Sequence, residues 1–315
     1  MLNGYMKAAV IHEYGDAKVF KHEDIAIPEP GADEVLVKVH YASVNPFDYK
    51  VRAGYIKGSM PLKFPAIIGT DMVGTIEKAG SSVSKFKKGD LVFGKANFGS
   101  NGSYAEYALA KEKNIAHAPK NMPEREIAGL PVAAGTAWTV LVDLAGLKKG
   151  QKILITGASG GVGIMAIQIA KNIGAHVIGT ASKPNLQTIK AMGADEAIDY
   201  TEGDFSEKVK DVDVLLDTVG GDTLSKAYEM VKRGGKLISL TGPTDKAAAD
   251  KYGIDAQYLS VPSDGKTMEE LAKLADSGKL KVIIDREFPL EKISEAHALS
   301  ESRKVKGKII IKIQS

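Results

Sequence analysis

The sequence predicts an α/β protein: a doubly wound parallel sheet domain beside a barrel-like, mainly β region that the C-terminal tail rejoins. Three observations carry that prediction. From Met6 to about Lys120 the chain is a series of short strand-like runs punctuated by glycine turns. From about Pro123 apolar strands alternate with helical runs, the pattern of a parallel sheet covered on both faces. Between one such strand and helix stands "ITGASGGVG" (Ile155 to Gly163), a glycine-rich turn of the kind that holds phosphates.

The bulk numbers suit this architecture. A chain of 315 residues is comfortable for two domains. At 44% hydrophobic and 26% charged, it has the composition of an ordinary soluble globular protein. It has no cysteine, which excludes disulfides, thiolate metal ligands and a cysteine nucleophile, and fits a reducing compartment. The opening "MLNGYMKAAV" lacks the basic and apolar regions of a signal peptide. Apolar runs such as "KIIIKI" are too short to span a bilayer. The net charge is +3, with lysines and acids interspersed. A nucleic-acid footprint would need a concentrated basic stripe; the short run Lys85 to Lys88 before a Gly89-Asp90 turn reads as a solvated loop. The expectation is a soluble, cytoplasmic protein with neither a membrane nor a nucleic-acid partner.

The elements follow in order. "EVLVKVHYASV" (Glu34 to Val44) alternates apolar and polar residues, as a half-buried strand does. "IIGTDMVGTIEKAG" and "GDLVFG" read as further strands, and "SYAEYALA" (Ser103 to Ala110) as another, together a barrel-like fold. In the alternating region the predicted strands are "QKILIT", "AHVIGTA", "AIDY", "VDVLLDTVG", "GKLISLTG" and "AQYLSV". Helices are predicted at "GVGIMAIQIAKNIG", "NLQTIKAMGA", "DFSEKVK", "DTLSKAYEMVKRGG" and "TMEELAKLADSG". After about Ser263 come "KVIIDREFPL", a helix around "EKISEAHALSES" and the strand "GKIIIKI". That tail is too small for a domain of its own, so it returns to complete the first region. The expected domains are residues 1–122 with 264–315, and residues 123–263.

The glycine turn has the strand–turn–helix setting of a Rossmann dinucleotide site. A helix N-terminus presents unpaired N–H groups and a partial positive charge to a pyrophosphate. Gly160 and Gly161 let the backbone approach the phosphates, and Gly163 lets helix and strand pack closely. Where G-x-G-x-x-G would place its first glycine, this chain has Ala158. Its methyl is tolerable where the backbone angles are ordinary, with Gly157 supplying the freedom. NAD-specific sites receive the ribose 2′-hydroxyl on an acid about 20 residues on. Here the second strand runs out into Thr180-Ala181-Ser182-Lys183, with no acid. A hydroxyl and an ammonium suit an added 2′-phosphate, and a charge-assisted contact corresponds to a preference of roughly 10- to 150-fold. NADP(H) is therefore the expected cofactor, with Tyr200 flanking the adenosine end. The plainer alternative is that Lys183 is an exposed lysine at a strand end.

Taken together, "ASVNPFDYKVRAG" (Ala42 to Gly54), "IIGTDMVGTIEKAG", "GDLVFG", "AGTAWTVL", "ITGASGGVGIMAIQIAK", "GADEAIDY", "LLDTVGG" and "GGKLISLTG" resemble a known family over nearly the whole chain. They resemble the medium-chain dehydrogenase/reductase superfamily, and within it the zinc-independent quinone oxidoreductase (zeta-crystallin-like) branch with its enone reductases. The resemblance implies a Rossmann NADP-binding domain, a GroES-like catalytic domain and a homodimer. Zinc alcohol dehydrogenases of the superfamily carry a cysteine ligand in C-x-x-D and a histidine in G-H-E. The matching places here read Asn45-Pro46-Phe47-Asp48 and Gly69-Thr70-Asp71. His12, His22, His40, His117, His176 and His297 have no metal-ligand spacing, so no zinc is expected.

Residue by residue, the resemblance sets Asn45 near the nicotinamide and substrate, and Thr136 at the nicotinamide end. It places Ser159, Gly160, Gly161, Val162 and Gly163 in the pyrophosphate turn, and Ser182, Lys183 and Tyr200 at the 2′-phosphate. Thr241 and Gly242 fall in the loop that passes the nicotinamide ring. Related enoyl reductases place a tyrosine proton donor shortly after N-P-x-D, two residues beyond a glycine. Here Tyr55 stands one residue beyond Gly54, Ile56 takes the later place, and Tyr49 is an alternative. Either tyrosine is a candidate donor or an amphipathic wall of the pocket. Asp48 reads as a structural hydrogen-bond acceptor rather than a general base.

Without a Lewis acid, oxidation of a plain alcohol loses its usual means of stabilising an alkoxide. Hydride transfer to a quinone or an α,β-unsaturated carbonyl remains feasible, because conjugation draws charge onto an oxygen that fixed donors can hold. The expected activity is NADPH-dependent reduction of such acceptors. A zinc-free carbonyl or alcohol dehydrogenase is one alternative, separated by whether an enone yields a saturated ketone or an allylic alcohol. A non-catalytic NADPH-binding structural, regulatory or RNA-binding protein is the other, since fold and cofactor do not fix function.

Overall fold

The computed structural model describes residues 4–97, 99, 101–259 and 264–314. The end of the predicted strand "AQYLSV" and the expected boundary at residue 263 lie outside them. The chain opens with β1 (Tyr5–Ile11), β2 (Phe20–Ala26) and β3 (Glu34–Val44), then α1 (Pro46–Arg52). β4 (Ala66–Ile67), β5 (Asp71–Ala79), β6 (Leu91–Lys95), β7 (Tyr107–Lys111) and β8 (Ile115–His117) follow, with α2 (Glu124–Ile127) and α3 (Pro131–Trp138). The alternating region runs β9 (Lys152–Ile155), α4 (Gly161–Ile173), β10 (His176–Ala181), α5 (Leu186–Ala191), β11 (Glu196–Asp199) and β12 (Val212–Asp217). It continues through α6 (Asp222–Ala227), β13 (Val231–Ser239), α7 (Lys246–Tyr252) and β14 (Asp255–Tyr258). Last come α8 (Gly265–Asp276), β15 (Ile284–Pro289), α9 (Ile293–Glu301) and β16 (Lys308–Lys312). Two compact units result, Met1–Gly135 with Ser263–Ser315 and Thr136–Pro262, so the division falls inside α3.

In the first unit a sheet of order β15-β16-β3-β5-β6-β8, with β7 also on β3, lies beside a smaller sheet of order β2-β1-β4. The tail enters it through antiparallel pairing of β16 with β3, Ile309 opposite Val44 and Ile310 opposite Ser43. β3 spans the predicted run, but its alternation changes phase. Its register against β5 slips between Val39 and Tyr41. Before the slip Val35, Val37 and Val39 join a buried cluster with Met72, Ile76 and Val92. After it Ala42 and Val44 join another, with Val10, Ile309 and Ile311. One extra residue, His40, turns the strand's apolar face over. Of "SYAEYALA", only the end from Tyr107 is a strand.

α1 starts where chemistry favours it. Pro46 takes the first helical position, and the Asp48 carboxylate accepts from the backbone N–H of Asn45 at 2.7 Å. At its other end Arg52 is fully buried. It donates to the Gly15 carbonyl and to His297 Nδ1, and pairs with Glu301 on α9. Burial first, then the Arg52 charge, pushes the His297 pKa well below its ordinary value, so the ring accepts as a neutral imidazole.

The second unit is a six-stranded sheet of order β11-β10-β9-β12-β13-β14. Every pairing in it is parallel. Its first strand is central and the order reverses between β9 and β12, the doubly wound arrangement that binds ligands at the strands' carboxyl ends. Leu154, Ile178, Leu215 and Leu237 form part of its core. Two predicted helices are corrected. "DFSEKVK" holds only a 3₁₀ turn at Phe205–Glu207, where Asp204 accepts from both the N–H and the hydroxyl of Ser206 in competition with a helix. "DTLSKAYEMVKRGG" is helical only to Met230, because Val231 is buried in the core and pairs with Val212 as the start of β13. Among the described residues no helix is long and apolar enough to cross a membrane.

Candidate active site

The glycine turn joins β9 to α4. Gly157 has φ +63°, and a Cβ there would meet Thr218 Oγ1 at 2.4 Å, so the left-handed glycine sits one residue earlier than the fingerprint expects. Ala158 has an ordinary negative φ and is fully buried. Its methyl uses room left by Gly179 on β10, where a Cβ would come within 2.9 Å of it. A Cβ on Gly163 would stand 2.6 Å from both Ala158 Cα and the Gly157 carbonyl, so glycine sets the close packing of α4 on the turn. Gly160 caps α4, and among the described residues no side chain caps the N–H groups of its first turn, which includes Gly161, Val162 and Gly163. Those amides, with half-buried Ser159 beside them, form a cradle that fits a pyrophosphate.

Around that turn Asp217, fully buried, ties three strand ends together. One oxygen accepts from Thr156 Oγ1 (3.1 Å) and from the Val219 and Gly220 N–H groups (3.1 and 3.0 Å). The other accepts from Ser239 Oγ (2.9 Å) and Thr241 Oγ1 (3.0 Å), which fixes the start of the Thr241-Gly242 loop. At the next strand ends Ala181 pairs with Asp199, and the Tyr200 N–H donates to the Ala181 carbonyl. Ser182, Lys183 and Tyr200 are thus brought together. The Lys183 ammonium donates to Glu202 at 3.0 Å, and this bond, then the Glu202 charge, raises its pKa. Thr136 is half-buried in α3.

In the first unit Asn45 is 3% exposed at the N-cap of α1. Its Nδ2 donates to Asp71 Oδ2 at 2.9 Å, and its Oδ1 accepts from Lys308 Nζ at 2.5 Å. Asp71 Oδ2 also accepts from Ser43 Oγ (2.5 Å) and Lys308 Nζ (3.3 Å), and Oδ1 from the Val132 N–H (2.9 Å). Asp48 accepts from the Asn45 N–H, from Tyr104 Oη (3.0 Å) and from Thr70 Oγ1 (3.0 Å). Burial pushes Asp48 up to about 6 against the pull of the Asn45 hydrogen bond, and the Asp71 charge adds to the rise. Burial also raises Tyr104 well above its ordinary value and lowers Lys95, opposite Asp71 on β6, to about 8. Tyr49 is buried on α1, whereas Tyr55 is 75% exposed beyond it. Among the described residues no group of three or more histidines and acids could hold a metal ion.

Sequence reasoning passed over Lys308, Asp71 and Asp217. Asp71 and Asp217 stand in motifs quoted above, and an acid inside an apolar strand was the available signal. For Lys308, at the head of an isoleucine strand, there was none.

Residues 31–120 match the alcohol dehydrogenase GroES-like domain, and residues 192–311 the zinc-binding dehydrogenase family. A 2-methylene-furan-3-one reductase of Solanum lycopersicum is 38% identical over 97% of this chain and 79% of its own. An NADPH-dependent alkenal/one oxidoreductase of Arabidopsis thaliana chloroplasts is 36% identical over the same shares, 97% and 79%. The solved quinone oxidoreductase of Coxiella burnetii superposes with a TM-score of 0.90 at 34% identity, covering 98% of this chain and 100% of that one. The chain is an oxidoreductase of the medium-chain dehydrogenase/reductase superfamily, in the branch that holds the quinone oxidoreductases and enone reductases.

Proposed function

We propose that the protein is a zinc-independent reductase that uses NADPH to reduce quinones or activated double bonds of α,β-unsaturated carbonyls. The observation that carries this reading is the donor set at the family's metal-ligand places. Asn45 and Thr70 offer an amide and a hydroxyl, and the neighbouring Asp71 is already paired with the Lys308 ammonium. An ammonium cannot ligate a cation and repels one, so these residues do not fit zinc. A site without a metal suits acceptors whose own conjugation draws charge onto oxygen. The relatives named for enone, alkenal and quinone substrates support the same class.

Bound NADPH would supply the hydride. The chain's own residues hold and orient the reactants. We assign the pyrophosphate to the turn of Ser159 and Gly160 and to the amides of Gly161, Val162 and Gly163. Ser182, Lys183 and Tyr200 take the 2′-phosphate end. Asn45, Thr136, Thr241 and Gly242 serve the nicotinamide end. Tyr49 and Tyr55 are the candidate proton donors or pocket walls. Residues 1–122 with 264–315 act as the acceptor domain and 123–263 as the nucleotide domain, in a cytoplasmic homodimer whose mass in solution checks the assembly. The test is consumption of NADPH, with NADH in parallel, against a panel of quinones and conjugated enones. Turnover with NADPH preferred supports the reading. Preference for NADH overturns the cofactor assignment, and NADPH binding with no turnover overturns the reductase.

A further inference from the structure

We propose that Lys308 is a positioning residue for Asn45: its buried ammonium, with Asp71, fixes the Asn45 amide in one orientation that leaves an N–H free to donate. The inference rests on the reductase reading above and adds to it the device that replaces a metal as organiser of the site.

The side chains of Lys308 and Asp71 are 3% and 0% exposed. Lysine is almost never so buried unless paired. Its backbone is held in place and its stem runs close to Gly129. The Lys308 N–H donates to the Ile283 carbonyl, Ile309 and Ile311 anchor the strand in the core, and a Cβ on Gly129 would lie 3.3 Å from Lys308 Cγ. The ammonium therefore has a fixed address, 2.5 Å from one atom of the Asn45 amide.

Chemistry decides which amide atom that is. An ammonium only donates, so the atom facing it must be Oδ1. The amide nitrogen then faces the Asp71 carboxylate, an acceptor, at 2.9 Å. The flipped amide would oppose donor to donor and acceptor to acceptor, so Lys308 and Asp71 together select one orientation. Nδ2 carries two N–H bonds, and only one goes to Asp71. Among the described residues the second has no acceptor, although Asn45 is 3% exposed. A buried donor left over there is suited to a carbonyl or carboxamide oxygen. Lys308 thus presets a donor at the place where zinc-binding members of the superfamily keep a cysteine ligand.

A lysine that only balances the Asp71 charge would have the same burial. Two neutral pairs separate the roles. D71N/K308M removes both charges and the donor to Asn45 Oδ1; D71N/K308Q removes both charges but keeps an N–H that can reach it. Five quantities are measured in each: kcat and KM with a conjugated enone, NADPH affinity by nicotinamide fluorescence, thermal midpoint, and the Asn45 side-chain amide ¹H–¹⁵N signal of the cofactor-free protein, identified by its loss in N45D. The methionine pair is expected to lose at least tenfold in kcat, with KM and NADPH affinity within about threefold, and to show a moved Asn45 signal. The glutamine pair and K308R are expected to restore most of that kcat. Wild-type kcat and an unmoved Asn45 signal in the methionine pair would overturn the inference, as would equal loss in both pairs. Should the methionine pair fail to fold, loss of kcat in the glutamine pair overturns it. If the wild type turns over no acceptor, the reductase reading fails on its own, and the Asn45 signal still decides the role of Lys308.

Discussion

At the scale of single residues the site is a set of buried polar groups whose costs are met locally. Asp48 illustrates this. Its folded pKa, about 6, lies above the ordinary 3.8, so the folded state binds more protons than the unfolded chain between those values. Stability from this group is therefore greatest in acid and declines as pH rises through about 6, by roughly 3 kcal/mol in all. D48N keeps an acceptor for the Asn45 N–H and removes the titration. Its thermal midpoint relative to wild type is expected to improve from pH 4 to about pH 6 and to level off above about pH 7; a constant difference from pH 4 to pH 7 would refute the assignment. Lys183 is the second case. The ammonium is exposed and shared with Glu202, so on the proposed 2′-phosphate assignment its contribution to cofactor choice falls at the weak end of a charge-assisted contact. K183A is expected to lower the ratio of kcat/KM for NADPH to that for NADH by roughly tenfold, and an unchanged ratio would remove Lys183 from the 2′-phosphate site.

At the scale of elements, the β9 turn and α4 depend on atoms too close to admit a side chain. Gly163 is the least forgiving of these, since both atoms at 2.6 Å are backbone and cannot swing aside. G163A is expected to push α4 off the turn at a cost of about 1–3 kcal/mol. A thermal midpoint lower by a few degrees and NADPH affinity at least tenfold weaker would show it; wild-type affinity would mean that this packing does not set the phosphate cradle. What could be read from the sequence at this scale follows from the range of the forces. The alternation of β3, the strand series and the glycine turn are local signals, and the structure has them. The phase change at His40 is invisible in a pattern count, because it depends on pairing with β5. "DFSEKVK" has helical spacing, yet Asp204 captures Ser206 and stops it. Lys308 reads as a strand-end lysine because its partners, Asp71 and Asn45, lie 237 and 263 positions away.

At the scale of the whole molecule, each compact unit contributes a different kind of order. The parallel sheet collects the glycine turn, the Asp217 hub and the group Ser182, Lys183 and Tyr200 at the carboxyl ends of its strands, where a doubly wound sheet binds its ligands. The mainly β unit is closed by its own tail, and that closure brings Lys308 to Asn45. The central claim is that these parts serve hydride transfer to the β-carbon of a conjugated acceptor. The most direct measurement is to supply NADPH deuterated at the nicotinamide C4 and locate the label in the product of a conjugated enone. A saturated ketone carrying deuterium at its β-carbon is the predicted result. An allylic alcohol carrying deuterium at the carbinol carbon would contradict the account and make the protein a carbonyl reductase.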